Sequence, residues 1–184
     1  MQLDDAIKQR KSVKKFSSKK PDWREIIECI DSARYSPLAG GIPTVKFILV
    51  SDKEKINSIA EASQQDFISE AHYVVAVVSN PNLTVKSFGK SGEIYSRQQA
   101  GAAMQNFLLS IEERKLAACW VGHFNEKQIK RELKIPENMN LEAVIPVGYE
   151  LKKEKPSRKP NFDAMLNFER YGNKKMKSVK TLDV

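Results

Sequence analysis

Two hydrophobic periods alternate along this chain and mark out its elements. Residues 3–9 read as a short helix, which the polar run Ser17-Ser18-Lys19-Lys20-Pro21 separates from the next element. Asp22 with Glu25 three positions on has the spacing of a capping box, and Ile26, Ile27, Ile30 and Ala33 then recur at helical spacing until the pattern stops before Pro37. A Pro/Gly loop over 36–44 delivers the chain into Val45-Lys46-Phe47-Ile48-Leu49-Val50, a β-rich run expected to be a largely buried strand. Residues 52–62 suggest another helix. Tyr73-Val74-Val75-Ala76-Val77-Val78 is the clearest strand, closed by Asn80-Pro81.

Residues 82–96 are polar, contain Gly89 and Gly92, and are expected to form a mobile excursion whose Phe88 and Tyr95 cover a site. Over 98–115, Ala100, Ala103, Met104, Phe107, Leu108 and Ile111 form one apolar stripe, the pattern of a central core helix. Gly101 and Ala102 are expected to admit close approach of another element. Residues 117–121 suit a short strand, and Asn125 with Gln128 caps a helix that runs to about 133 before Pro136. Residues 143–149 supply another strand, where Pro146 predicts an edge or a bulge. The order of elements predicts an α+β domain, helices flanking a mixed central sheet. No internal repeat or low-complexity segment appears.

Composition narrows the class. At 184 residues, 41% hydrophobic and 29% charged, the chain suits one soluble domain, assigned to 1–172 and followed by a basic tail over 173–184. The first residues carry two acids and no apolar leader core, so the expected location is cytoplasmic, with no membrane partner. Cys29 and Cys119 form no CxxC pair, and only His72 and His123 are present, which argues against a disulfide framework and against a metal site. The net charge of +8 is concentrated over 8–20 and from Lys152 onward, including Lys174, Lys175, Lys177 and Lys180. Solvated surface explains the tail better than nucleic acid does, and no nucleic-acid partner is expected.

Arg10, Lys11, Ser12 and Lys14 place three cations and a hydroxyl within five positions, a donor mixture suited to a phosphate monoester. On its own the segment is better read as a charged turn at a helix end. Four dispersed segments change that reading: Arg10-Lys11-Ser12-Val13-Lys14, Ser36-Pro37-Leu38-Ala39-Gly40-Gly41, Cys119-Trp120-Val121-Gly122-His123-Phe124 and Ser157-Arg158-Lys159-Pro160. In this order and at these separations they resemble the nitroreductase family of FMN oxidoreductases, over residues 6–172.

The resemblance implies that Arg10, Lys11, Ser12, Lys14 and Arg158 hold the FMN phosphate and ribityl chain, with Lys155 and Lys159 as further basic candidates beside Arg158, for which a solvated loop is the competing reading. Pro37, Leu38, Ala39 and Gly41 would approach the flavin mainly through backbone atoms, although Leu38, Gly41, Pro43 and Val45 depart from the family pattern and Gly41 replaces an asparagine. Backbone N–H groups at Gly122 and His123 would lie near flavin N5. The flavin performs the chemistry, so no side chain is assigned as catalytic, and the imidazole of His123 is read as positional. The resemblance further implies an intertwined homodimer with each flavin contacted by both chains. It also implies NADH or NADPH as the transient hydride donor, a small-molecule electron acceptor and ping-pong kinetics. A flavin-binding protein of the same fold with weak or no turnover is the alternative, motivated by Gly41 and Pro43.

Overall fold

The computed structural model of the protein describes residues 2–156 and 158–176. Ser157 and residues 177–184, among them Lys177 and Lys180 of the basic tail, lie outside the described residues.

Four strands, β1 (Val45–Val50), β2 (Tyr73–Ser79), β3 (Ala117–Ala118) and β4 (Asn140–Gly148), form one sheet in the order β1-β2-β4-β3. Every pair in it is antiparallel, so the expected α+β class stands while the expected mixture of strand directions does not occur within this chain. Among the described residues seven α-helices accompany the sheet: α1 (Leu3–Gln9), α2 (Trp23–Ala33), α3 (Lys53–Ser63), α4 (Pro81–Phe88), α5 (Ser91–Glu113), α6 (Glu126–Glu132) and the short α7 (Phe162–Met165). No described helix is long and apolar enough to cross a membrane.

The continuous apolar run of β2 is explained by burial on both faces. Tyr73, Val75 and Val77 join Ala143, Ile145 and Val147 of β4 beneath α2 and α5, with Ile26, Cys29, Met104 and Phe107 filling that layer. Val74, Ala76, Val78 and Val144 face the opposite layer, where α3 and α6 contribute Ile56, Ile59 and Ile129. The result is three layers, helices on each side of the sheet. β1 is an edge strand, and only Val50 in it is buried, contrary to the expectation of a largely buried strand.

Pro146 sits on β4, a central strand, paired with Val74, and the only irregularity of that ladder falls at Val77/Val78. Neither an edge nor a bulge was needed. Its carbonyl faces Cys119 at 3.4 Å, so its missing N–H points to the same side, where β3 has already ended at Ala118 and pairing resumes only at Val121–Val144.

The segment 82–96 is helical rather than a mobile excursion. Asn80 caps α4 by accepting from Asn82 N, and α5 begins at Ser91, well before the predicted start. Gly92 makes this possible: a Cβ there would stand 2.4 Å from Thr84 C and Val85 N, so the two helix backbones meet with no side chain between them. Phe88 and Tyr95 pack edge to face at 5.3 Å. Gly101, by contrast, has nothing of its own chain within 4 Å of a built Cβ, so no element of this chain makes the close approach expected there. Gly92→Ala should destabilise the fold by about 2 kcal/mol or more, because the clash is with backbone that cannot turn aside. Urea unfolding with an unchanged m-value measures it.

Candidate cofactor site

After α1 the chain leaves helical geometry at Arg10 and runs extended along the end of the sheet. Buried Val13 and Phe16 pin it there, packing with Phe67, Ala71 and Ala117. Val13 N donates to Ala118 O at 3.0 Å, and Phe16 bridges to Glu150 just beyond β4. With these residues turned inward, Ser12, Lys14 and Lys15 are left outward. Lys14 also lies over the Phe67 ring, 5.5 Å from its centroid.

These residues line a crevice of about 510 Å³ whose far wall is the segment after β4. Arg10, Lys11, Ser12, Val13, Lys14 and Lys15 form one side, and Glu150, Lys152, Glu154 and Lys155 the other. Among the described residues, no carboxylate comes within salt-bridge distance of Arg10, Lys14, Lys15, Lys152 or Lys155, whereas Lys11 is paired with Glu150 at 2.8 Å. So many unneutralised cations around one cavity, with the Ser12 hydroxyl among them, fit a polyanionic group such as a phosphate monoester. Lys11 is the exception, since its ammonium is already engaged. Arg158 does not line the crevice. Of the basic residues after β4, Lys152 and Lys155 line the crevice, because the turn after β4 brings those two across from Arg10.

The Cys119 thiol adjoins the crevice. Burial pushes it above the ordinary thiol range, against the pull of Lys14, the Ser12 hydroxyl and Arg10, which favours the protonated thiol. Behind Lys11, a neighbouring cavity of about 430 Å³ contains Glu112 of α5, Lys115 and Tyr149. Burial raises the Glu112 carboxyl; Glu150 adds to the rise, and Lys11 and Arg10 oppose it.

The other predicted residues lie elsewhere. Pro37, Leu38, Ala39 and Gly41 belong to the loop before β1, where residues 39–41 make a 3-10 turn and Gly41 holds φ +69 with open space around it. Thr44 at its end bonds Asn80 and, at 3.4 Å, Gln99 near the start of α5. This loop enters the sheet where Val45 faces Ser79 and Ser79 faces Asn140, the end opposite Glu150. It is also on the β1 edge, whereas Arg10 to Lys14 flank β3. The nine residues of β4 span about 27 Å between the two ends. One chain therefore holds the phosphate-type crevice and the Pro/Gly loop at diagonally opposed corners. Gly122 and His123 are exposed just past the Val121–Val144 bridge, and Gly122 borders a small polar cavity with Arg97, Asn140 and Glu142. The His123 carbonyl accepts from Gln65 Nε2 at 3.5 Å.

A three-layer α+β fold with a cation-lined crevice at one end of its sheet is the class these features define. The model described as Nitroreductase family matches residues 7–70 and 60–149, and the chain belongs to that family. A relative from Methanothermobacter thermautotrophicus, provisionally named NADH dehydrogenase/NAD(P)H nitroreductase, is 28% identical over 167 residues, covering 89% of this chain and 84% of its own. The crystal structure of a nitroreductase family protein from Clostridium novyi NT is 28% identical with a TM-score of 0.75, covering 94% of this chain and 96% of that one. An NADPH:FMN oxidoreductase from Vibrio harveyi, solved with NAD+, shares the fold at a TM-score of 0.82 and 17% identity, covering 92% of this chain and 77% of that one.

The sign of the Glu112 effect follows from linkage. A carboxyl raised in the native state holds its proton to higher pH than in the unfolded chain, so stability falls as pH rises from the ordinary glutamate range through the native titration. Glu112→Gln should therefore raise Tm relative to the parent at pH 7 and give no such gain at pH 4. An equal difference at both pH values would contradict this.

Proposed function

We propose that this chain is a homodimeric, FMN-dependent oxidoreductase that uses NADH or NADPH to reduce a small organic acceptor, a nitroaromatic, a quinone or a similar compound. When bound, the flavin supplies the redox chemistry, accepting hydride at N5 and passing it on. The protein binds and orients. The observation that carries this reading is the cationic crevice, in which Arg10, Ser12 and Lys14 occupy the positions of the family's phosphate motif and have no carboxylate partner among the described residues. Arg10 suits two phosphate oxygens at once, Ser12 adds a neutral donor, and Lys14 a point charge. Gly122 and His123 present backbone that no neighbouring element covers, which supports their approach to the flavin ring. Donor and acceptor use the same exposed face in turn, so the nicotinamide leaves before the acceptor enters.

Three features support the dimer. The loop over 36–44 lies too far from the crevice of its own chain for one flavin to touch both, so a second chain is needed to complete each site. Gly101 offers open space on the outer face of α5. The described residues from 151 onward include none that is buried, although Phe162, Met165 and Tyr171 are 69%, 71% and 97% exposed. Apolar side chains in that number call for cover.

The purified protein should be yellow, run as a dimer on gel filtration, and lose its visible flavin band on anaerobic addition of NADH or NADPH. Steady-state plots should give parallel lines. Flavin that neither nucleotide bleaches would favour the binding protein without turnover, for which Gly41, lacking a side chain to reach the ring, is the motivating residue.

The shared site has its own test. Arg10→Glu and Gly41→Val should each abolish flavin-dependent reduction, whereas co-expression of the two chains should return roughly half of the parental activity in mixed dimers, where one of two sites is intact. No recovery would mean that each site is built by one chain.

A further inference from the structure

We propose that Lys11 is a positioning residue: with Glu150 and the peptide of Glu154 it forms a clasp that holds Lys152 and Lys155 over the crevice, and it does not itself bind the phosphate. The proposal rests on the crevice being a flavin phosphate site. Its Nζ lies 2.8 Å from Glu150 Oε1, and both side chains are less than one-fifth exposed. The same ammonium donates to the Glu154 carbonyl. Glu150 Oε1 in turn accepts from Glu154 N at 3.1 Å. One ammonium, one carboxylate oxygen and the backbone N–H and C=O of one residue thus close a ring across residues 143 apart in sequence.

The backbone gives the clasp its importance. Ser17 N donates to Tyr149 O at 2.8 Å and Leu151 N to Lys15 O at 3.0 Å, tying the chain as far as 151. Among the described residues, the next backbone–backbone bond is Ala164 to Asn161. Among the described residues between those points the Lys11–Glu150–Glu154 ring is the hydrogen-bonded tie, and Lys152 and Lys155 lie within or beside it. Electrostatics works against that placement, because Arg10, Lys14 and Lys15 already occupy the facing wall and like charges repel across a narrow gap. Without a tie, a segment carrying Lys152, Lys153 and Lys155 would swing toward solvent. A neutralised pair with little exposure holds it and adds no net charge to the crevice.

Glu150 separates the clasp from direct ligation. Were Lys11 a phosphate ligand, removing the neighbouring carboxylate would free it and strengthen anion binding. The clasp requires the opposite sign.

The full chain, stripped of flavin, should be titrated with FMN and with riboflavin, which lacks the phosphate, by quenching of flavin fluorescence. The parent should favour FMN strongly. Lys11→Met and Glu150→Gln should each weaken FMN by about tenfold or more, the loss of one or two charge-assisted bonds, and leave riboflavin unchanged. The double variant should be no worse than either single one, since both remove the same clasp. Lys11→Arg should retain most of the preference. Hydrogen exchange of the amides over 150–156 should quicken in both single variants, which tests the clasp without any ligand. FMN bound by Glu150→Gln as tightly as by the parent, or more tightly, would overturn the proposal, as would unchanged exchange. A parent that binds FMN no better than riboflavin would instead overturn the reading of the crevice as a phosphate site.

Discussion

Burial of β2 and β4 on both faces is the constraint from which the rest of the structure follows. Every residue of β2 is buried, and its side chains alternate between two cores rather than between core and water. An antiparallel sheet of that kind must be covered twice, here by α2 and α5 on one side and α3 and α6 on the other. Once both faces are covered, the sheet itself is reached only from its ends and edges. The crevice lies at one end and the Pro/Gly loop at the other.

The crevice illustrates how a cationic site is kept in place without a ligand. Val13 and Phe16 anchor the backbone from which Ser12 and Lys14 project, and a ring face rather than a carboxylate lies beneath Lys14 of the crevice, as beneath Lys19 and Lys20 farther along the same segment. Lys14 lies over Phe67, Lys19 over Tyr149 and Lys20 over Tyr73. An aromatic face attracts an ammonium while leaving its charge available, which a carboxylate would not. Of the two carboxylates that line the crevice, Glu150 is occupied by Lys11, and Glu154 comes within salt-bridge distance of none of the described lysines.

The helices and strands were legible wherever local pattern and tertiary environment agree. Ile26 and Ala33 on α2, the stripe of α5 and the run of β2 read correctly because their periodicity is the direct imprint of the surface they bury, whereas Ile27 of the expected α2 stripe is exposed, Ile30 is only partly buried, and Cys29 takes the buried place between Ile26 and Ala33. Two caps read well too: Asp22 and Asn125 each accept a backbone N–H of the helix that follows. The stretch over 82–96 did not, because its glycines look like loop punctuation. Gly92 is there for contact with Thr84, a demand visible only once α4 and α5 are packed. Pro146 misled for a related reason: the cost of a proline depends on which neighbour its nitrogen faces, and that is set by where β3 ends.

Within the site, sequence fixed the residue types and tertiary structure chose among them. The string from Arg10 to Lys14 and its phosphate-like chemistry are local properties, readable because four neighbouring positions suffice to hold them. That Lys152 and Lys155 stand opposite and Arg158 does not line the crevice, that Lys11 spends its charge on Glu150, and that the loop at Gly41 lies at the far corner are not local at all. They depend on the register of β4 against β2 and on the turn that follows it, which bring residues some 140 positions apart to within a hydrogen bond. Chain chemistry is written residue by residue, but distance between remote residues is a property of the packed sheet.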